Sequence, residues 1–523
     1  MSSRNHALVV DGADKGRGMA RVRGCFNGRL LYACSLIALS QVNFGMDQAA
    51  FSNTQAMDPF IRKFGVLNAK TQKYAIEPYF LSFLNSFTYI GFAFGLVTGN
   101  IISRKFGRKI AMFTMCLWAM VGAIILVTSQ HKEQMLVGRI VAYVYIGMEL
   151  ALVPVLQSEL TPAPVRGLVV GTYQSGLLLG QLIMSLICRG TSTIKDDRSW
   201  RIPLGLFFIV PSIIAVGVWF MNESPRWLLL KGREEEAKAS LQGLREGKFT
   251  QAQIDAEMEE IKMSLQLDQD KGSLKEVFYG TNFKRTLIVI GVNIFLQLTG
   301  QNFASVYGTV FIKSIGTVNP FTMTSINTAL NIVMVLITQL LTDVTGRVPQ
   351  MAAGAAVQCA VLFTMGGLGT TTPQTKPIGT GIVAMVTLFG VGFSLGWAPL
   401  SHVVAAEIPT TRLRDATYAL GSIFNIAIQF TVSFSIPYLL DDKYAGLHSK
   451  VGFIFGSTAF CAFIFSLTCI PECRGKTLEE IDHLFLEKVP IGKFGKTHPR
   501  TLQHSYAVAE DKEFGQKVRV DTL

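Results

Sequence analysis

Twelve times along this chain the sequence runs for roughly 20 residues with scarcely a charge, and that recurrence restricts its fold more than any single motif does. As a helix, a run of that length crosses the hydrocarbon of a bilayer. In lipid, only helices and closed barrels satisfy every backbone N–H and C=O internally. The runs lie near 29–50, 79–103, 109–129, 135–157, 167–188 and 201–221, and, after a polar stretch, near 285–313, 322–342, 350–370, 377–403, 413–440 and 449–471. The sequence therefore predicts an all-α membrane protein with twelve transmembrane helices in two six-helix bundles, 29–221 and 285–471. A helical linker, 222–284, joins them, and tails of 1–28 and 472–523 flank them.

Composition agrees with lipid as the main solvent: 49% of the 523 residues are hydrophobic and 16% charged, where a globular domain carries about 25% charged residues. The net charge of +12 does not point to nucleic acid, because the basic residues cluster in short turns at the ends of apolar runs. Arg104, Lys105, Arg108 and Lys109 follow span 2, Arg166 follows span 4, Arg347 follows span 8, and Arg412 and Arg414 follow span 10. With alternating spans all of these share one side, which the positive-inside rule makes cytoplasmic together with both termini and the linker. Arg62, Lys63, Lys70 and Lys73 in the loop after span 1 weaken that rule without reversing it. The eight cysteines are scattered and show no CxxC or zinc spacing, so no disulfide framework or metal is expected. The first thirty residues are polar and basic, with no apolar core and cleavage site of a removable signal.

Between the two groups, EEEAKASLQGL and AQIDAEMEEIKMSL have the composition of short amphipathic helices on the membrane surface, in a solvated linker. After Lys488 large apolar residues are few, and the tail is expected to be disordered. The two groups echo each other. SELTPAPVRG ends span 4 with Glu159 and Arg166, and AEIPTTRLRD ends span 10 with Glu407 and Arg414 at the same seven-residue spacing. FGRK after span 2 is matched by TGRV after span 8. Two structurally related halves follow.

FGMD (Phe44 to Asp47), GR (Gly138, Arg139), SELTPAPVRG, ESPRWL (Glu223 to Leu228), QLTGQN (Gln297 to Asn302), DVTGR (Asp343 to Arg347), GWAP (Gly396 to Pro399) and PECRGKTLEEIDHLF (Pro471 to Phe485) occur in that order. From Arg29 to Phe485 the chain resembles the sugar porter branch of the major facilitator superfamily, and AEIPTTRLR is similar to the turn of its fungal members. The resemblance implies alternating access, a sugar or polyol substrate, and a carrier that works as a monomer in a plasma membrane.

Asp47 lies about 27 Å up span 1 from Arg29, and Arg139 enters span 4 from the opposite direction, so the two sit at similar depth and can meet. Such a carboxylate would couple proton binding to conformation if the pair parts during transport; the alternative is a static ion pair that positions the two spans. Proton-coupled members of the family resemble this chain at both positions. Glu149, ten residues further along, is roughly 15 Å deeper and about 80° away in helical phase. Family members usually carry a small residue there. Glu149 could contact substrate, bind a second proton, or sit protonated and inert.

Gln174 and Gln181 are two turns apart on one face of span 5, and the resemblance makes them ligands of sugar hydroxyls. Gln297 and Asn302 flank Gly300 in span 7, where a bend aims amides inward; Asn425 and Gln429 in span 11 are further candidates. Trp397 could stack on a pyranose face. Each amide could instead bind helix to helix. The chain departs from the family at Leu296, Val306, His402, Tyr143, Tyr145 and Arg104, where glutamine, tyrosine, tryptophan, glycines and aspartate are usual. His402, like Glu149, is thus a possible substrate or proton site.

Arg108, Glu159, Arg166, Glu223, Arg226, Asp343, Arg347, Glu407, Arg414 and Glu472 gather opposite charges at the cytoplasmic mouth. The resemblance makes them salt bridges that close that mouth; anchoring to lipid headgroups is the alternative. No GxxxxGK[ST] loop, metal cluster or nucleophile constellation stands out, so no cofactor, pump or enzyme activity is expected. A proton symporter, a facilitative carrier, and a sugar sensor on the same fold remain open.

Overall fold

The computed structural model describes residues 24–68, 72–267, 274–476 and 478–497. Among them, helices fill all twelve expected spans. In the first half these are α1 (Gly28–Thr54), α2 (Pro78–Phe106), α3 (Arg108–Val127), α4 (Lys132–Leu160), α5 (Ala163–Thr191) and α6 (Arg198–Phe220). In the second they are α7 (Gly280–Ser305), α8 (Pro320–Thr345), α9 (Arg347–Leu368), α10 (Lys376–Glu407), α11 (Arg414–Leu440) and α12 (Val451–Thr468). Ten of the twelve are long and apolar enough to cross a membrane by length and composition. The two outside that group, α1 and α5, are diluted by polar residues such as Ser40, Gln41, Asn43, Asp47, Gln174 and Gln181.

Those two helices pack lengthwise, and small residues set how closely. A Cβ on Gly45 would stand 1.8 Å from the carbonyl oxygen of Leu177, and one on Gly180 would stand 2.0 Å from that of Val42. Backbones so close exclude side chains from the seam and bring the polar flank of α1 round toward α4. Three helices are interrupted. α2 breaks at Phe87, α10 at Gly396, and α7 at Thr299 and Gly300, where Gly300 has φ +95°.

Contacts divide the chain into two compact units. The first runs to Asp270 and includes Ser305–Ile332 and Ser433–Tyr438; the second holds Lys271–Ala304, Val333–Val432 and the residues from Leu439 onward. The sequence assigns 305–332 and 433–438 to the later group of helices. Polar contacts join them to the first unit: Ser52 Oγ donates to the Ser305 carbonyl at 2.8 Å, Ser82 Oγ to the Phe434 carbonyl at 2.8 Å, and Lys313 pairs with Asp58. A two-stranded hairpin, β1 (Val66–Asn68) against β2 (Lys73–Ala75), lies in the loop after α1.

The linker differs from the solvated stretch expected. Pro225–Leu230, Glu234–Arg245 and Gln251–Leu267 share an apolar core of Trp227, Leu228, Ala237, Leu241, Ile254 and Met258. Arg245 is buried, bonding Glu257 at 2.8 and 2.9 Å and the Leu160 carbonyl at the end of α4 at 2.9 Å. The helices are the amphipathic ones expected, and their apolar stripes pack on one another. Residues 489–497 are ordered, because Phe494 is fully buried against Phe485 with ring centroids 4.8 Å apart; the remainder of the tail expected to be disordered lies outside the described residues.

Candidate functional site

In the first unit, Asp47 of α1 meets Arg139 of α4: Oδ2 stands 3.6 Å from Nη1, and the side chains are 6% and 3% exposed. That separation is an ion pair without a hydrogen bond. The guanidinium is seated by rings instead, 3.5 Å from the centroid of Phe51 and 4.6 Å from that of Tyr143. A desolvated cation over an aromatic face gains about 2 kcal/mol, so the carboxylate can change its charge while the cation keeps its seat. Neither ring was singled out as a partner from the sequence, although each lies four residues after its charged neighbour, on the same helical face.

Glu149 is fully buried on α4, and neither carboxylate oxygen has a hydrogen-bond partner. Tyr145 and Ser40 face it, and the Tyr145 hydroxyl donates to the Ser40 carbonyl at 3.0 Å. Gln174 and Gln181 are half-buried on α5, and Gln181 Nε2 donates to Gln48 Oε1 at 2.7 Å.

The second unit carries the amides. Gln297 Nε2 donates to Asn425 Oδ1 at 3.2 Å, and Asn425 Nδ2 to Asn293 Oδ1 at 3.2 Å, which ties α7 to α11. Beyond the break at Gly300, Asn302 Nδ2 donates to the Gln429 carbonyl at 3.4 Å. Trp397 does not offer the ring platform expected of it. It is fully buried in the core of this unit, 6.4 Å from Phe295, because the break at Gly396 turns it inward. His402 is exposed, with Nδ1 3.4 Å from the Tyr418 hydroxyl.

The charged turns form the same arrangement twice. Arg108 grips Glu159 with two bonds of 2.7 and 2.9 Å, and Glu223 accepts from the backbone N–H groups of Arg108 and Lys109 at 3.0 and 3.2 Å. In the second unit Arg347 bonds Glu407 at 2.9 Å, and Glu472 accepts from the N–H groups of Arg347 and Val348 at 3.1 and 3.0 Å. Each outlying glutamate satisfies orphan donors at a helix start, where the helix dipole also favours negative charge. Gly107 (φ +103°) and Gly346 (φ +92°) admit it, since a Cβ there would lie 2.5 and 2.7 Å from a glutamate oxygen. Burial pushes the Glu223 carboxyl above its ordinary value, against the backbone donors and Arg108, which pull it down.

Glu159 and Arg166, like Glu407 and Arg414, share a spacing in the sequence and no contact among the described residues: Arg166 is exposed, and Arg414 has Nε and Nη2 unbonded. Arg226 reaches Ser264 at 3.4 Å. The side chain of Asp343 lies outside the described residues.

Twelve spanning helices in two related halves, with an ion pair buried in one and an amide cluster in the other, define a multi-pass membrane carrier of the major facilitator fold. Residues 33–485 match the family described as "Sugar (and other) transporter", and the chain belongs to that family. It is 30% identical to the major facilitator-type transporter ecdD of Aspergillus rugulosus over 91% of each chain. To the hexose transporter HXT13 of Saccharomyces cerevisiae it is 28% identical, covering 89% of this chain and 85% of that one. The inward open structure of the xylose transporter XylE from E. coli superposes with a TM-score of 0.71 at 21% identity, over 87% of this chain and 99% of the other.

Proposed function

We propose that the chain is a secondary transporter that moves a sugar or similarly polyhydroxylated small molecule across the membrane by alternating access, together with a proton. The observation that carries this is the Asp47–Arg139 pair, which is enclosed between α1 and α4 and held by rings rather than hydrogen bonds. Protonating Asp47 would dissolve the attraction between two helices that must move, so charge and conformation are linked. Relatives named as hexose transporters, and a structural neighbour described as a proton:xylose symporter, support both cargo and coupling. Gln174, Gln181, Gln297, Asn302 and Asn425 supply the donors and acceptors a hydroxyl-rich ligand needs. In this reading 29–221 and 285–471 are the rocking bundles of a monomer in the plasma membrane, and both termini and the 222–284 linker are cytoplasmic. The charged clusters that include Arg108 and Arg347 then form the cytoplasmic gate.

A sensing role is the second reading, because the chain is also 30% identical to the high glucose sensor RGT2 of Saccharomyces cerevisiae over 77% of its length, although it spans only 54% of that protein. Proteoliposomes separate the readings. Sugar addition should alkalinise the outer medium, and Asp47→Asn should abolish that signal while leaving sugar exchange measurable. Uptake indifferent to both Asp47→Asn and a protonophore would mean uniport; binding without counterflow of any sugar or polyol would mean sensing.

A further inference from the structure

Between α1 and α4 the polar groups do not stop at Asp47. Ser40, Asn43 and Asp47 recur at helical spacing on one face of α1, and all three are buried. Across from them α4 presents Arg139, then Tyr145, then Glu149. Tyr145 is the middle link, since its hydroxyl donates to the Ser40 carbonyl and Asn43 also faces it. At the far end the fully buried Glu149 has both carboxyl oxygens unbonded, and Ser40 Oγ and Asn43 Oδ1 are unbonded as well.

A carboxylate left like this would be a bare charge in a low-dielectric interior, which costs several kcal/mol. Among the described residues, the groups around it offer no cation. On its own helix the titratable neighbour is Tyr145, and on α3 it is Cys116. The charged residues of α1 are Arg29 and Asp47, those of α2 are Arg104 and Lys105, those of α3 are Arg108 and Lys109, and those of α5 are Arg166 and Arg189; none of these faces Glu149. Unlike Asp47, then, Glu149 can be neutralised only by a proton.

We propose that Glu149 is a second proton-binding site of this chain, reached from the Asp47 level along the Ser40, Asn43 and Tyr145 stripe. In the packing seen here it binds one proton from water as a neutral acid. When α1 and α4 part, that proton returns to water and the carboxylate is solvated. This deepens the proton-coupling reading above and rests on it for its purpose, but the test concerns the carboxyl itself and needs no sugar.

The full chain is reconstituted in lipid nanodiscs as Asp47→Asn, which removes the competing buried acid, and titrated under infrared observation. In the difference between the Asp47→Asn chain and the Asp47→Asn, Glu149→Gln double variant, which cancels the bands of the chain's other carboxyls, a carboxylic acid C=O band should be present at low pH, shift in D2O and vanish as pH rises. Tyr145→Phe in the same Asp47→Asn background should move the midpoint of that band by about tenfold in proton concentration, because the phenol dipole facing the carboxyl is lost. A band that persists unchanged from about pH 5 to about pH 10 makes Glu149 a permanently neutral packing group and overturns the proposal. So does a difference spectrum without any such band on removal of Glu149, or a Tyr145→Phe midpoint equal to that of the Asp47→Asn chain. Failure of sugar transport with a titrating Glu149 band would refute the symport reading alone.

Discussion

Because the two charged clusters share a layout but not an environment, replacing corresponding glutamates should have unequal consequences. Arg108 and Glu159 are 8% and 6% exposed and joined by two bonds, whereas Arg347 and Glu407 are 13% and 21% exposed and meet at 2.9 Å. Glu159→Gln removes the charge opposite a buried guanidinium, and breaking a buried pair from one side costs about 3–5 kcal/mol. Arg108 keeps Ser103, at 2.9 Å to its carbonyl and 3.1 Å to its hydroxyl, so the lower end of that range applies. Glu407→Gln weakens a wetter contact, where loss of a charged hydrogen bond costs about 1.5–3 kcal/mol. Thermal unfolding followed with a thiol-reactive fluorophore suits the comparison, since Cys116 and Cys188 are buried in the first unit and Cys473 in the second. Glu159→Gln should expose thiols at a lower temperature than Glu407→Gln does. Equal shifts, or a larger one for Glu407→Gln, would refute the inference from burial to cost.

Two further outcomes follow from particular side chains. Burial raises the Glu223 carboxyl, so the fold favours its protonated form; the stability it contributes is present at acid pH and lost as pH rises through the folded value. Glu223→Gln cannot ionise, and its melting temperature should decline less steeply than that of the unaltered chain as pH rises from the ordinary carboxylate range. Gln297→Leu removes the bond to Asn425 and a donor for substrate, and should raise the KM for sugar about tenfold while the proton-to-sugar ratio in proteoliposomes stays the same.

What the sequence disclosed follows from the range of each interaction. Helix positions were legible because lipid imposes a length and a composition on every span, and the meeting of Asp47 with Arg139 followed from helical rise alone. The partners of the charged turns were not legible. The sequence names ten charged residues at one mouth without saying which meets which, and it is Arg108, from another helix, that takes Glu159. Trp397 escaped for a similar reason: an aromatic residue after a glycine break reads equally as a platform or as core, and packing against Phe295 decides. The amphipathic helices of the linker were legible, but that their apolar faces pack on one another was not, since that depends on the facing helix.

The repeat makes the scaffold twofold but leaves the chemistry one-sided. Between Gly280 and Thr468 the acidic residues are Asp343, Glu407, Asp415, Asp441 and Asp442, all at helix ends, so the helix interiors of the second half hold no acid. The first half holds two, Asp47 facing α4 and Glu149 on α4, both short of hydrogen bonds. Under the proposed function protons bind inside this half, while the other half's amides would exchange their hydrogen bonds for those of a hydroxylated ligand at little cost in charge. Coupling the two requires only that each ligand favour the same arrangement of helices, and it requires no direct contact between proton site and sugar site. An alteration confined to the amides should then change affinity, and one confined to α1 and α4 should change whether accumulation is possible.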